Sequence, residues 1–86
     1  MAYQGFGYAW KRTIEPYTIV KLKLNGNSFR AMDDRTNVEH VVPDGAQVIV
    51  LQIIDDEDSL HRFRGLWGDQ ILSFYMFDSE LEVVFG

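Results

Sequence analysis

The chain has 86 residues, a formal net charge of −5 and no cysteine, which limits it to one small domain and excludes a disulfide framework, thiolate metal sites and a cysteine nucleophile. Apolar residues make up 47% and aromatic residues 14%, which argues for a folded chain, while the acidic total disfavours general nucleic-acid binding, because neutralising phosphates takes clustered cations. The start lacks the charged and apolar regions of a signal peptide, and no apolar run approaches the roughly 18 residues of a membrane span, so the expectation is a cytoplasmic protein without membrane contact.

Residues 1–12 contain GFGYAW, in which Phe6, Tyr8 and Trp10 alternate with Gly or Ala. As a strand, this segment puts three large rings on one face and small residues on the other. Three readings follow: an extra strand that completes the core, an exposed arm that adds to a partner's sheet, or an arm exchanged between copies of the chain. Residues 13–86 are expected to form the domain proper.

YTIVKLKL (17–24) alternates, with Val20, Leu22 and Leu24 on one face and Lys21 and Lys23 on the other, the pattern of a half-buried strand. Asn25-Gly26 accepts the positive φ values of a tight hairpin turn, so SFRAM (28–32) is expected to return antiparallel. DDRTN (33–37) reads as a polar loop and VEHVV (38–42) as a short strand ended by the turn PDG (43–45). QVIVLQII (47–54) is a near-continuous, β-branched run and reads as a central strand buried on both faces, ended by the acidic loop DDEDS. LHRFRGL (60–66) and ILSFYMF (71–77) flank the turn WGDQ as a hairpin. DSEL (78–81) reads as one helical turn capped by Asp78, and LEVVF as a last short strand. Short strands at this spacing, with no convincing helical period, predict an all-β fold: a small barrel of five to six short antiparallel strands, closed because closure removes edges that a short chain has little else to cover.

From Val42 to Val84 the order of elements resembles the SH3-like barrels: a Gly-containing turn, a long apolar strand, an acidic loop, two strands around a Gly-containing turn, a single helical turn and a final β-branched strand. Residues 17–24 then stand for that family's first strand, and 28–37 for its long first loop. The resemblance implies the fold and a role in molecular contacts. The peptide-binding motifs of the eukaryotic members are absent: nothing matches their tyrosine-bearing first-strand motif, Leu60-His61 stands where they carry a tryptophan pair, and the helical turn has neither their Pro nor their Tyr.

No Ser-centred nucleophile motif, phosphate-binding Gly loop or metalloprotease helix is present, so neither a catalytic residue nor a cofactor is expected. His40 and His61 lie 21 residues apart, too few ligands for a metal site. Charge is uneven: residues 1–43 carry six Lys/Arg against four Asp/Glu, and residues 44–86 two against nine. The expectation is a non-enzymatic protein–protein interaction module (an adaptor, accessory subunit or inhibitor) that contacts its partner through Phe6, Tyr8, Trp10, Trp67, Tyr75 and the acidic run Asp55, Asp56, Glu57 and Asp58. Trp67 is the anchor at a hairpin tip, with Tyr75 as its neighbour. The acidic half would steer the chain toward a basic surface, such as that of a nucleic-acid enzyme. The alternatives are a nucleic-acid-binding barrel using Lys11, Arg12, Lys21, Lys23 and Arg30 beside the N-terminal aromatics, and a homo-oligomeric structural protein.

Overall fold

A computed structural model describes residues 14–57 and 59–85. Seven strands follow one another: β1 (Ile19–Leu22), β2 (Ser28–Asp33), β3 (Val38–Pro43), β4 (Gln47–Glu57), β5 (Leu60–Trp67), β6 (Gln70–Phe77) and β7 (Leu81–Phe85), with a single 3₁₀ turn, η1 (Asp78–Glu80), between the last two. They form one antiparallel sheet in the order β3-β2-β6-β5-β4-β1-β7. The fold is all-β, as expected. Closure is a correction: among the described residues β3 and β7, the two ends of the sheet, do not pair, so the sheet is strongly bent and open. Among the described residues there are seven strands, more than the five to six expected, and 28–33 is a strand, as the Asn-Gly turn before it suggested, and not part of the long loop that the SH3-like resemblance implied. The segment 1–12, with its aromatic alternation, lies outside the described residues.

The turns form where their residues require them. Leu24 O accepts from Asn27 N–H at 3.0 Å, and Asn25 and Gly26 have φ of 55° and 83°, the two positive values of a type I′ turn. Asp44 clamps this turn from 18–20 residues away: its Oδ1 accepts from Leu24 N–H at 2.7 Å and its Oδ2 from Gly26 N–H at 2.9 Å. Yet β2 does not return onto β1, as Asn-Gly led one to expect. Both edges of β1 are occupied, by β4 (Val20 opposite Val48) and β7 (Val20 opposite Val83), so β2 pairs with β3 over six positions and touches β6 at one, Met32 opposite Ser73.

Strand β4 departs from its expected form in two ways. It does not stop at Ile54 but runs on through Asp55, Asp56 and Glu57, opposite Arg62, His61 and Leu60. The acidic residues therefore extend a hairpin arm, where Asp55 faces a cation across the ladder. It is also not buried on both faces: Val48 and Val50 are buried, whereas Gln52 and Ile54 are exposed. Register shifts between Val50 and Gln52 and between Ile53 and Asp55 are bulges that bend the strand and re-aim its side chains.

The core lies on the inner face, around Val20, Leu22, Val48, Val50, Leu72 and Met76. Across β2, β6 and β5 it contains a row of rings: Phe29 stacks on Phe74 at 5.9 Å and Phe74 on Phe63 at 5.3 Å. Such contacts hold β2 against β6, where the ladder offers one pair. Beside them Gly65 lets two strands approach closely. A Cβ there would collide with the Val48 side chain and lie 3.2 Å from Ile49 O. Gly65→Ala should therefore destabilise the fold by about 1–3 kcal/mol, read as a lower denaturant midpoint at constant slope.

The backbone amides of Leu24 and Gly26 hold the Asp44 carboxyl below its ordinary value, and the side chain and backbone of Arg35 do the same for Asp33. A carboxyl depressed in the folded state contributes stability that is complete above its unfolded value and is lost as pH falls through the folded one. Unfolding should therefore set in below about pH 4. Asp44→Asn should lower the midpoint at pH 7 and flatten the loss below pH 4 in a pH series of denaturation curves.

Candidate functional site: a groove on the outer face of the sheet

LHRFRGL alternates in β5, with His61, Phe63 and Gly65 buried and Arg62 and Arg64 on the outer face. Register sets Tyr75 of β6 opposite Arg62, and Ser73 opposite Arg64. On β4 the same face carries Gln52 and Ile54, and on β2 Arg30 and Met32. Because β2 and β6 meet only at Met32 and Ser73, they diverge beyond that pair. A groove of about 500 Å³ opens there, lined by Phe29, Arg30, Met32, Asp34, Ile54, Arg62, Arg64, Ser73 and Tyr75.

The polar groups of the groove are ordered by Asp34. Its Oδ2 accepts from Arg64 Nη2 at 2.7 Å, from Arg64 Nε at 3.3 Å and from the Ser73 hydroxyl at 2.8 Å, while Arg64 Nη1 donates to Gln52 Oε1 at 2.8 Å. The Arg64 guanidinium and then the Ser73 hydroxyl hold the Asp34 carboxyl below its ordinary value. Arg62 lies over the Tyr75 ring, 4.7 Å from its centroid, and donates from Nη2 to the Tyr75 hydroxyl at 3.1 Å, a cation–π pair on a solvated face. Its remaining ionic contact, to Asp55, is long at 3.7 Å, and among the described residues Arg62 Nε is buried without a hydrogen-bond partner. Tyr75 is 52% exposed and Ile54 44%, so apolar surface borders the arginines.

The residues singled out in the sequence fall into separate places. Tyr75 belongs to the groove, and Asp55 stands at its margin through Arg62. Asp56 and Glu57 continue along the hairpin arm. Trp67 is not a wet tip: it is half-buried and packs against the core. It pairs with Gln70, so Tyr75, opposite Arg62, is not its neighbour. The side chain of Asp56 and residues Phe6, Tyr8, Trp10, Lys11, Arg12 and Asp58 lie outside what is described. Of the cationic strip, Arg30 is on β2, 3.6 Å from Glu39, while Lys21 is on β1 opposite Glu82. Three strands separate β1 from β2 in the sheet. Lys23 lines a second hollow, of about 410 Å³, with Phe77 and Glu80.

His61 is buried, and its Nε2 donates to Asp78 Oδ1. Asp78 is therefore not the cap of η1, as its position suggested. Phe77 is the N-cap residue, and the Glu80 Oε1 reaches back to accept from its N–H at 2.8 Å. Asp78 N–H donates to Ser59 O at 2.8 Å, so backbone and side chain together fasten η1 to the start of β5. At the far end of the sheet β7 exposes Val83, Val84 and Phe85 and pairs with β1 alone among the described residues. Among the described residues no group of three or more His, Cys, Asp or Glu is placed to hold a metal ion, and no helix is long and apolar enough to cross a membrane. Comparison of the chain with protein families, with curated proteins and with solved structures gives no match.

His61→Ala removes the donor to Asp78 and leaves a space beside the core. It should lower stability by about 1–3 kcal/mol, measured by chemical denaturation, with the chemical shifts of η1 changing most.

Proposed function

We propose that this chain is a non-enzymatic protein-interaction domain of SH3-like arrangement, and that its contact surface is the groove between β2 and β6. The SH3-like part is supported by the order of elements: a turn with Gly45 at positive φ, a long bent β4, an acidic hairpin arm, β5 and β6 around Gly68, one 3₁₀ turn and a final β-branched strand. The observation that carries the function is Tyr75. It is a half-exposed ring held by Arg62, with Ile54 and Met32 exposed on the same face. Exposed aromatic and Arg side chains held in one orientation are the groups that dominate protein contacts, since little freedom is lost when they are buried. The domain would act in the cytoplasm, as adaptor, accessory subunit or inhibitor, by occupying a surface of its partner.

The test is capture on the immobilised chain from a nuclease-treated lysate of its native source. One protein should be retained by the wild type and reduced at least tenfold with Tyr75→Ser, a change on a solvated face that leaves the fold intact by circular dichroism. Equal retention by Tyr75→Ser, or retention abolished by nuclease, would sink the reading.

A further inference from the structure

We infer that Asn25-Gly26 is a deamidation site, and that Asp44 keeps it closed in the folded chain. This goes beyond the contact surface proposed above and does not depend on it. The chemistry needs only water. Gly26 N loses its proton to solvent and attacks Asn25 Cγ. The new N–Cγ bond closes a cyclic imide as the Cγ–Nδ2 bond breaks and Nδ2 leaves as ammonia. Water then opens the imide on one side or the other. One product is aspartate. The other is isoaspartate, in which the main chain runs through Cγ and is one carbon longer.

The chain has three asparagines, at 25, 27 and 37, and they are not equally open to this reaction. Ser28 and Val38 follow the other two, and a side chain on the attacking residue crowds its nitrogen. Gly26 has no side chain, and a Cβ built there meets nothing within 4 Å. Asn25 is exposed, lines the second hollow, and makes no side-chain hydrogen bond among the described residues.

The folded geometry opposes the attack in two ways. The φ of Asn25 is 55°, in the left-handed region where ψ is about +47°. That conformation turns the Gly26 nitrogen away from Asn25 Cβ, whereas the imide needs the two on the same side. The bond from Asn27 N–H to Leu24 O, at 3.0 Å, holds the turn in this shape. Moreover, the proton that must leave is already engaged: Gly26 N–H donates to Asp44 Oδ2 at 2.9 Å. Removing it would set an anionic nitrogen against a carboxylate. Asp44 is itself fixed, because its Oδ1 accepts from Leu24 N–H at 2.7 Å and the following Gly45 N–H donates to Leu22 O at 2.9 Å. The carboxylate comes from 18 residues along the chain, so this protection exists only in the fold. Either product adds a carboxylate near that of Asp44, and isoaspartate also lengthens the turn, so conversion undoes the clamp.

The experiment incubates the full chain in mildly alkaline buffer and follows its tryptic peptides by mass spectrometry. Conversion is read as the amide-to-acid mass gain, with aspartate and isoaspartate separated by retention. A capped synthetic peptide of residues 20–30 is the unfolded reference. The folded wild type should convert at Asn25 before Asn27 or Asn37, and at least tenfold more slowly than the peptide. Asp44→Ala should speed conversion at Asn25 at least fivefold. Asp44→Ser, which keeps an acceptor of shorter reach, should fall between. Gly65→Ala, which weakens the fold without touching the turn, should convert at the wild-type rate. Equal rates in the folded chain and the peptide, no acceleration by either Asp44 variant, or equal acceleration by Gly65→Ala would overturn the inference.

Discussion

Strand β1 is four residues long and has both edges occupied, by β4 and by β7, and the rest of the sheet is arranged around that fact. A chain leaving β1 through a tight turn finds no free hydrogen-bonding edge beside it. The Asn25-Gly26 turn forms, with the positive φ values its residues favour, but the strand that follows must travel to the other end of the sheet. There it pairs with β3 and gains one register pair with β6. Backbone pairing alone leaves this junction weak, and the stack of Phe29 on Phe74 and Phe74 on Phe63 supplies what the ladder lacks. The groove is a consequence of the same displacement. Two strands that meet at Met32 and Ser73 and then diverge leave a gap whose walls are their outward side chains.

Bending has a second source in β4. Two bulges in eleven residues let one strand pair with β1 at its start and with β5 along its length, while the sheet curves around a thin core. The bulges also explain why Ile54 is exposed. In an unbroken alternation a residue six positions after the buried Val48 would share its face. The one extra residue between Val50 and Gln52 inverts that phase, and Ile54, itself within the second bulge, comes out in the groove with Arg62 and Tyr75. A large apolar side chain delivered to a solvated face by a bulge matches the use of bulges to re-aim side chains near sites of contact.

Much of this was legible in the sequence, and what was not has identifiable causes. Local turn chemistry was readable: Asn25-Gly26, Pro43 to Gly45, Gly68-Asp69 and the single helical turn all formed where their residues placed them, because each depends on a few neighbouring φ values. Partner choice was not readable, because it depends on which edges remain free after the other strands have paired. The extent of β4 was not readable because four consecutive acids, Asp55 to Asp58, look like a loop when read alone. Across the ladder, Asp55 meets Arg62, and the cost of placing acids in a strand falls. The groove was missed although its signal was present. The alternation of His61, Arg62, Phe63 and Arg64 marks two arginines for the outer face, and Tyr75 was already singled out. What was lacking was the register that sets Tyr75 on Arg62 and brings Arg30 and Met32 to the opposite wall.

Charge shows why net values mislead for a domain this small. The acids concentrated in the second half do not form one acidic surface. Asp78 is spent on His61, Asp44 on the amides of a turn, and Asp55 faces Arg62. In the first half Asp33 holds Arg35 and Asp34 holds Arg64. Each of these carboxylates accepts from or pairs with a neighbouring group of the fold. Arg30 is paired with Glu39 and Arg62 with Asp55 and Tyr75, and both arginines face the same groove. A ligand approaching at close range is therefore met by arginines already paired with carboxylates and by an oriented tyrosine, not by the net charge of the chain.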